Sequence, residues 1–547
     1  MPSHSHASGP REPPLLERTI GQVFVERARE SADSEALVVP DQAIRWTWRQ
    51  LSDAVDRLAT GLLDLGFHPG DRLGIWSPNR WEWTVTQFAT ARLGIVLVTI
   101  NPAYRAAEAG FALAKAGCRG VICAPRFKTS DYIGMMAQLD RQQLPELAWR
   151  ISLGDETFRG FTPFPELLAH GRPRAVASVE AGLSASEAIN IQFTSGTTGT
   201  PKGATLTHRN ILNNGLFVGE RIGLSPEDRV CIPVPLYHCF GMVMGNLACL
   251  CHGATMVYPG EGFDPLAVLR VVEQERCTAL YGVPTMFNQV LHQPAFETFD
   301  LSSLRTGIMA GAPCPEVLMR QVIEKMHMGE VTIAYGMTET SPVSLHTARD
   351  DTLARRVATV GQVQPHLEVR IVDGEGAVVP VGTAGEICTR GYSVMLGYWD
   401  ELERTRESVD QEGWMHTGDV GTMDADGYVR ITGRIKDMLI RGGENIYPRE
   451  IEEHLLRHPA IIDAQVVGLP DERWGEEVCA CVLVNPGHVL DAETVQAFCR
   501  DAIAHYKVPR HVLFPREFPM TVTGKVQKFR LRAWATAELA AKRQAAE

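Results

Sequence analysis

Ala188-Ile-Asn-Ile-Gln-Phe193 runs directly into Thr194-Ser-Gly-Thr-Thr-Gly-Thr-Pro-Lys-Gly203. The first stretch reads as a strand. In the second, glycines let the backbone close around an anion, so that successive N–H groups point inward as a nest. Hydroxyl side chains add donors, and Lys202 adds a point charge suited to phosphate. This is not the Walker loop, because Gly203 rather than Ser or Thr follows Lys202. A Ser/Thr/Gly linker would not place Pro-Lys-Gly after such a nest and pass straight into another strand.

Upstream, the pattern around that loop repeats. Thr47 is an N-cap for an apolar stripe at Leu51, Val55, Leu58 and Leu62, which Gly66 closes. Residues 72–76 then read as a buried strand, 81–93 as a helix and 95–100 as another strand. Further strands are expected at 229–234 and 332–335, and 239–251 reads as a buried helix. Helices alternating with buried strands predict α/β layers around a mostly parallel sheet to about residue 342.

From 361 to 432 strands become short and helical periodicity fades. Asp424-Ala-Asp-Gly427 is a hairpin turn. A calcium loop is rejected there, because Val429 and Ile435 stand where that loop needs Gly and Glu. A compact α+β pattern begins at 438, with Pro448 at a helix start and Ile451, Leu455 and Leu456 on one face. His454 and His458, at i and i+4, lack a third ligand and read as a solvated helix face. The expected organisation is a tail over 1–14 without fixed structure, in which His4 and His6 are solvated, and a large domain over 15–433. That domain comprises layered α/β subdomains and a β-rich one. A hinge at 434–437 and a small mobile α+β domain at 438–547 follow.

The chain has 547 residues, 53 Lys and Arg against 65 Asp and Glu, and a formal charge of −12. That charge argues against a nucleic-acid scaffold. Twelve cysteines in so long a chain do not make a disulfide framework, and 249/251 and 479/481 lack the CxxC spacing of metal or redox sites. No run spans a bilayer and no signal peptide precedes residue 15, so a reducing, cytoplasmic setting is expected.

With further motifs in the same order, the chain resembles the adenylate-forming superfamily, which holds acyl-CoA synthetases, luciferase and peptide-synthetase adenylation domains. These are Tyr335-Gly-Met-Thr-Glu-Thr340, Trp414-Met-His-Thr-Gly-Asp419, Gly433-Arg-Ile-Lys-Asp437, Arg441-Gly-Gly-Glu-Asn-Ile-Tyr-Pro448 and Pro519-Met-Thr-Val-Thr-Gly-Lys525. The resemblance covers essentially 15–534. It implies two half-reactions: a carboxylate attacks the α-phosphate of ATP, then the thiol of coenzyme A displaces AMP. It also implies the roles that follow. Thr194, Ser195, Gly196, Thr197, Thr198, Gly199 and Lys202 cradle phosphate. Glu339 is the Mg²⁺ ligand, and Thr338 donates to the α-phosphate. Gly311, Ala312 and Pro313 stack on adenine, with Tyr335 and Gly336 on its other side. Asp419 accepts both ribose hydroxyls, and Arg434 contacts ribose and phosphate. Lys525 bridges carboxylate and phosphate during adenylation. Lys436 is the hinge between two orientations of the small domain, and Arg441, Gly442, Gly443 and Glu444 line the coenzyme A tunnel.

The acid pocket is assigned by the same resemblance to His238, Phe240, Gly241, Met242, Val243, Ala310, Gly311, Gly336, Met337 and Pro342. Small residues at 241, 311 and 336 leave room for a slender chain, and the methionines are adaptable apolar fillers. No cation among them greets a second carboxylate. The similarity is nearest to the medium-chain branch, including Ile100-Asn-Pro-Ala-Tyr104 and Phe127-Lys-Thr-Ser-Asp131. An aryl or short branched-acid ligase and a loader of a carrier protein are the alternatives. A fatty acid, ATP and coenzyme A are the expected partners, with a homodimer as a possible assembly.

Overall fold

The computed structural model describes residues 4–169, 173–194, 201–442, 444–471, 473–500, 502–520 and 526–544. Ser195, Gly196, Thr197, Thr198, Gly199, Gly443 and Lys525 lie outside them. The chain forms two compact units, one of 7–369 with 389–415 and one of 1–6, 370–388 and 416–547.

The larger unit holds two large sheets with helices between their strands. One runs in the order Thr162–Pro163, Trp149–Ser152, Gly120–Cys123, Arg72–Trp76, Val96–Thr99, Ala188–Thr194, Lys202–Thr207 and Gly397–Tyr398. Its strands are parallel up to Ala188–Thr194, and the last two are antiparallel additions. The other is centred on parallel Arg229–Cys231, Ala279–Gly282, Thr306–Ala310 and Glu330–Gly336. Thr47 caps Trp48–Asp64 with a reciprocal capping box, satisfying end N–H groups that the helix leaves open. The buried face of that helix is Leu51, Val55, Leu58 and Leu62, as the apolar spacing predicts. Trp81–Leu93 is buried on almost every side, which explains why its sequence shows little amphipathic alternation.

The expected helix over 239–251 divides. Phe240–Leu247 is π-helical and Ala248–His252 α-helical. Buried amides hold this irregular segment. Gln192 Oε1 accepts from Cys239 N–H at 3.1 Å, Gln87 Nε2 donates to the Met242 carbonyl at 3.1 Å, and Asn246 Nδ2 donates to Gln87 Oε1 at 2.8 Å.

In the smaller unit the strands Met415–Met423 and Val429–Arg434 form the expected hairpin around Asp424 and Gly427. A second sheet pairs Ile461–Asp471 with Gly475–Val484, and Pro448–Leu455 buries Ile451 and Leu455. His454 Nε2 meets the Phe498 carbonyl at 3.0 Å, and the His458 Nδ1 accepts from Ala460 N–H. Both histidines are half-buried and pack on the Phe498 ring, at 4.6 and 4.9 Å, rather than forming the solvated face expected.

One expectation is corrected. The described part of the first fourteen residues has fixed structure: His6–Ser8 is a strand, Ser5 is buried, and its N–H donates to the Val379 carbonyl at 2.8 Å. Edge pairing through the backbone needs no apolar side chains, so the polar composition hid it. The compact units also part upstream of 434, placing 416–433 with the C-terminal residues.

Candidate active site

In the larger unit, Thr194 ends one parallel strand, Ala310 another and Gly336 a third. Carboxyl ends of parallel strands are where α/β sheets hold their ligands. Thr194 and Lys202 face each other across the antiparallel pair that flanks residues 195–200.

Glu339 lies in the short 3₁₀ turn Thr338–Thr340 and is only 5% exposed. Tyr398 Oη donates to its Oε1 at 2.9 Å, and Thr194 Oγ1 donates to the same oxygen at 3.3 Å. Lys202 Nζ lies 4.6 Å from the centre of the Tyr398 ring. Burial, and secondarily the Glu339 charge, push the Tyr398 hydroxyl well above the ordinary tyrosine range, so it remains a donor at neutral pH. Tyr398 is absent from the motifs. It reaches the site because Gly397–Tyr398 pairs with Lys202–Thr207.

The turn carrying Glu339 is itself fixed. Thr340 Oγ1 donates to the Pro342 carbonyl at 2.8 Å, and Ser341 Oγ donates to the Ser393 carbonyl at 2.6 Å. Thr338, Tyr335 and Met337 are half-buried beside it. Gly311 has φ +89°, a conformation that favours glycine, and leads into Ala312 and Pro313 after the strand end at Ala310.

The small residues of the acid pocket have a second explanation. A Cβ at Gly241 would lie 2.4 Å from the Pro235 carbonyl oxygen, and one at Gly336 would lie 1.7 Å from that of Pro342. Backbone approach alone demands glycine at both, a reason independent of leaving room for a slender chain. Met242 is buried with its Sδ 3.0 Å from Gln192 Nε2. Phe240 stacks on Tyr281 at 5.9 Å, and His238 lies against Tyr237 at 4.2 Å.

In the smaller unit, Arg434 Nε donates to Asp419 Oδ1 at 2.6 Å across adjacent strands. Asp419 is buried, whereas Arg434 is exposed. Lys436 follows in the exposed 3₁₀ turn Ile435–Asp437. Arg441 is held in a bidentate pair with Glu477, at 2.8 and 3.1 Å, and donates to the Tyr506 carbonyl. Its guanidinium is thus a structural tie. Gly442 is exposed with φ +60°, and a Cβ there would meet the Trp474 ring at 2.7 Å. Glu444 is exposed on Glu444–Ile446.

Two family profiles match the chain, "AMP-binding enzyme" over residues 24–399 and "AMP-binding enzyme C-terminal domain" over 450–525. The chain belongs to the AMP-binding enzyme family. Within it, the chain is a ligase of the acyl-CoA synthetase type. It is 44% identical over 546 residues to the mitochondrial medium-chain acyl-CoA ligase ACSF2 of Danio rerio, covering 96% of this chain and 90% of that one. It is 45% identical over 534 residues to the putative acyl-CoA synthetase YngI of Bacillus subtilis, covering 95% and 97%. The crystal structure of ATP-bound MatB from Rhodopseudomonas palustris superposes with a TM-score of 0.84 at 28% identity, covering 95% and 99%. Among the described residues, no helix is long and apolar enough to cross a membrane.

Proposed function

We propose that the chain activates a medium-chain fatty acid as an acyl-adenylate and passes the acyl group to coenzyme A. The observation that carries this reading is the Thr194–Glu339–Tyr398–Lys202 cluster at the strand ends, together with the relatives that share the whole chain. Two anions meet in the first half-reaction, so the site has to offset their repulsion. Lys202 supplies charge to the phosphates, Thr338 donates to the α-phosphate, and Asp419 accepts the ribose hydroxyls. Lys525 bridges the two reacting groups. Gly311, Ala312, Pro313 and Tyr335 enclose adenine.

Glu339 and the neighbouring hydroxyls form a hard oxygen set that fits Mg²⁺, with the carboxylate held in place by Tyr398 and Thr194. When bound, Mg²⁺ would share the phosphate charge. His238, Phe240, Met242, Ala310 and Met337 enclose the acyl chain. In the second half-reaction the 434–437 segment serves as the hinge of a mobile domain, and the exposed Gly442 and Glu444 receive the pantetheine arm. None of the twelve cysteines is in a disulfide, which suits a reducing compartment, and we assign the enzyme to the cytoplasm.

Acyl-CoA formation across straight-chain acids of increasing length, benzoate and short branched acids tests the substrate assignment. A maximum of kcat/KM among medium-length straight chains supports it. A maximum on an aryl or branched acid replaces it with that alternative.

A further inference from the structure

Outside that machinery, the smaller unit brings three ligand-bearing side chains together. Glu386 and Cys388 lie on one strand, Gly385–Gly391, and His416 on its sheet neighbour, Met415–Met423. Their donor atoms all lie within 4.8 Å of one another. His416 Nδ1 is 2.8 Å from Glu386 Oε2 and 3.5 Å from Cys388 Sγ. Cys388 is buried, while the side chains of His416 and Glu386 are 30% and 18% exposed, so an ion can reach the group from the histidine side.

We propose that Glu386, Cys388 and His416 form a binding site for a zinc-class transition ion. Thiolate, imidazole and carboxylate are the donors such ions select, whereas Mg²⁺ and Ca²⁺ take all-oxygen sets. Tetrahedral bonds of ~2.0–2.3 Å keep ligand atoms roughly 3.4–3.6 Å apart. The Sγ–Nδ1 separation already meets that spacing. The closer Glu386–His416 contact is a hydrogen bond that opens by about half an ångström when an ion replaces the shared proton. Binding takes the proton from Cys388 Sγ to solvent, and the imidazole shifts its hydrogen from Nδ1 to Nε2 and stays neutral. No group is oxidised or reduced. Three protein ligands leave the fourth position to water, the count of an accessible site rather than a closed structural one.

The site is coupled to its surroundings. Glu386 Oε1 accepts from Gly418 N–H at 2.9 Å, Thr417 Oγ1 donates to the Ile387 carbonyl at 2.7 Å, and Asp419 N–H donates to Thr417 Oγ1 at 3.1 Å. An ion that draws Glu386 away therefore disturbs the backbone carrying Asp419. This consequence, slower adenylation at saturating Mg²⁺ when zinc is present, rests on the ribose role given to Asp419; the site itself does not.

Titration of the full chain with Co²⁺ tests the site. One equivalent should bind with a thiolate-to-cobalt charge-transfer band in the near ultraviolet, and Zn²⁺ should displace it. Cys388→Ala should abolish the band, and His416→Gln should weaken binding at least tenfold, by analogy with lost metal-supporting contacts. A His4→Ala/His6→Ala double variant should keep band and stoichiometry. Absence of the band in the parent, or its persistence in Cys388→Ala, overturns the proposal. If Cys388→Ala does not fold, parent-like affinity in His416→Gln overturns it equally. A cobalt band without any zinc effect on pyrophosphate release upholds the site and refutes its coupling to Asp419.

Discussion

The Tyr398 hydroxyl donates to Glu339 Oε1 at 2.9 Å, joining residues 59 positions apart in the chain. The same carboxylate oxygen takes the Thr194 hydroxyl, so the strand that enters the loop proposed to hold phosphate and the carboxylate proposed for Mg²⁺ share one hydrogen-bond cluster. Tyr398 is a positioning residue in this arrangement, since it acts through Glu339.

Tyr398→Phe keeps the ring under Lys202 and removes only the donor. A hydrogen bond to a charged group is worth about 1.5–3 kcal/mol, so adenylation should slow by roughly ten- to a hundredfold. The Mg²⁺ concentration needed for half-maximal pyrophosphate release should rise. Thioester formation from synthetic acyl-AMP should be unchanged. A parent-like Mg²⁺ dependence would show that Tyr398 does not position Glu339.

Gly241→Ala and Gly336→Ala separate two explanations of the small residues. Since each added Cβ meets backbone carbonyl oxygen, both variants should lose at least about 1–3 kcal/mol in denaturant unfolding, the usual cost of overpacking. Parent-like stability with an altered preference for acyl length would instead make them substrate spacers.

The fold was readable where one element's own residues decide it. Thr47, the Leu51–Leu62 stripe and the run at 81–93 predict the helices Trp48–Asp64 and Trp81–Leu93. The π-turns at Phe240–Leu247 were not readable, because a run whose one polar residue is Asn246 has no periodicity to distinguish 3.6 residues per turn from a wider winding. The strand His6–Ser8 was hidden because its hydrogen bonds are made by backbone. Within the site, Glu339 and Asp419 stand in contiguous motifs. Tyr398 and Gln192 do not, and their parts emerge only when sheet pairing brings distant strands together. Gly397-Tyr-Trp399, an aromatic pair after glycine, was the one local hint of the former.

The two units should respond oppositely to mild acid. Burial lowers His208 and His346 of the larger unit to about 3, against about 6.5 unfolded. Below pH 6.5 the unfolded chain takes up protons that the folded one excludes, so this unit loses stability, on the order of 1.4 kcal/mol per pH unit per histidine. In the smaller unit burial raises Asp463 to about 6 from an ordinary 3.8. Its folded form holds a proton between those values that the unfolded form has released. That contribution is complete below pH 3.8 and is lost as pH rises through 6. Hydrogen exchange followed by mass spectrometry from pH 7.5 to 5 should show protection falling around His208 and His346. Asp463→Asn should raise stability at pH 7.5 and have little effect near pH 4; a variant equally stable at both would refute the assignment.

Lys525 and Lys436 have roles in different half-reactions under the proposed mechanism. Lys525→Ala should cut adenylation by roughly two to three orders of magnitude, as for a lost electrostatic partner of the transition state. It should spare thioester formation from acyl-AMP. Lys436→Pro fixes φ near −65° in the turn Ile435–Asp437 and should do the reverse, with Lys436→Ala far milder. Equal losses in both half-reactions for either lysine would refute this division.

The central claim is that a carboxylate oxygen attacks the α-phosphorus of ATP. A medium-chain fatty acid carrying heavy oxygen in its carboxylate, turned over with ATP and coenzyme A, tests it in one measurement. Bond formation from carboxylate oxygen to phosphorus, followed by cleavage of the acyl carbon–oxygen bond by the thiol, leaves one labelled oxygen in AMP and the other in acyl-CoA, with unlabelled pyrophosphate. Mass spectrometry of the AMP should show that single label at one per turnover. Unlabelled AMP, or ADP and labelled inorganic phosphate in its place, would contradict the account.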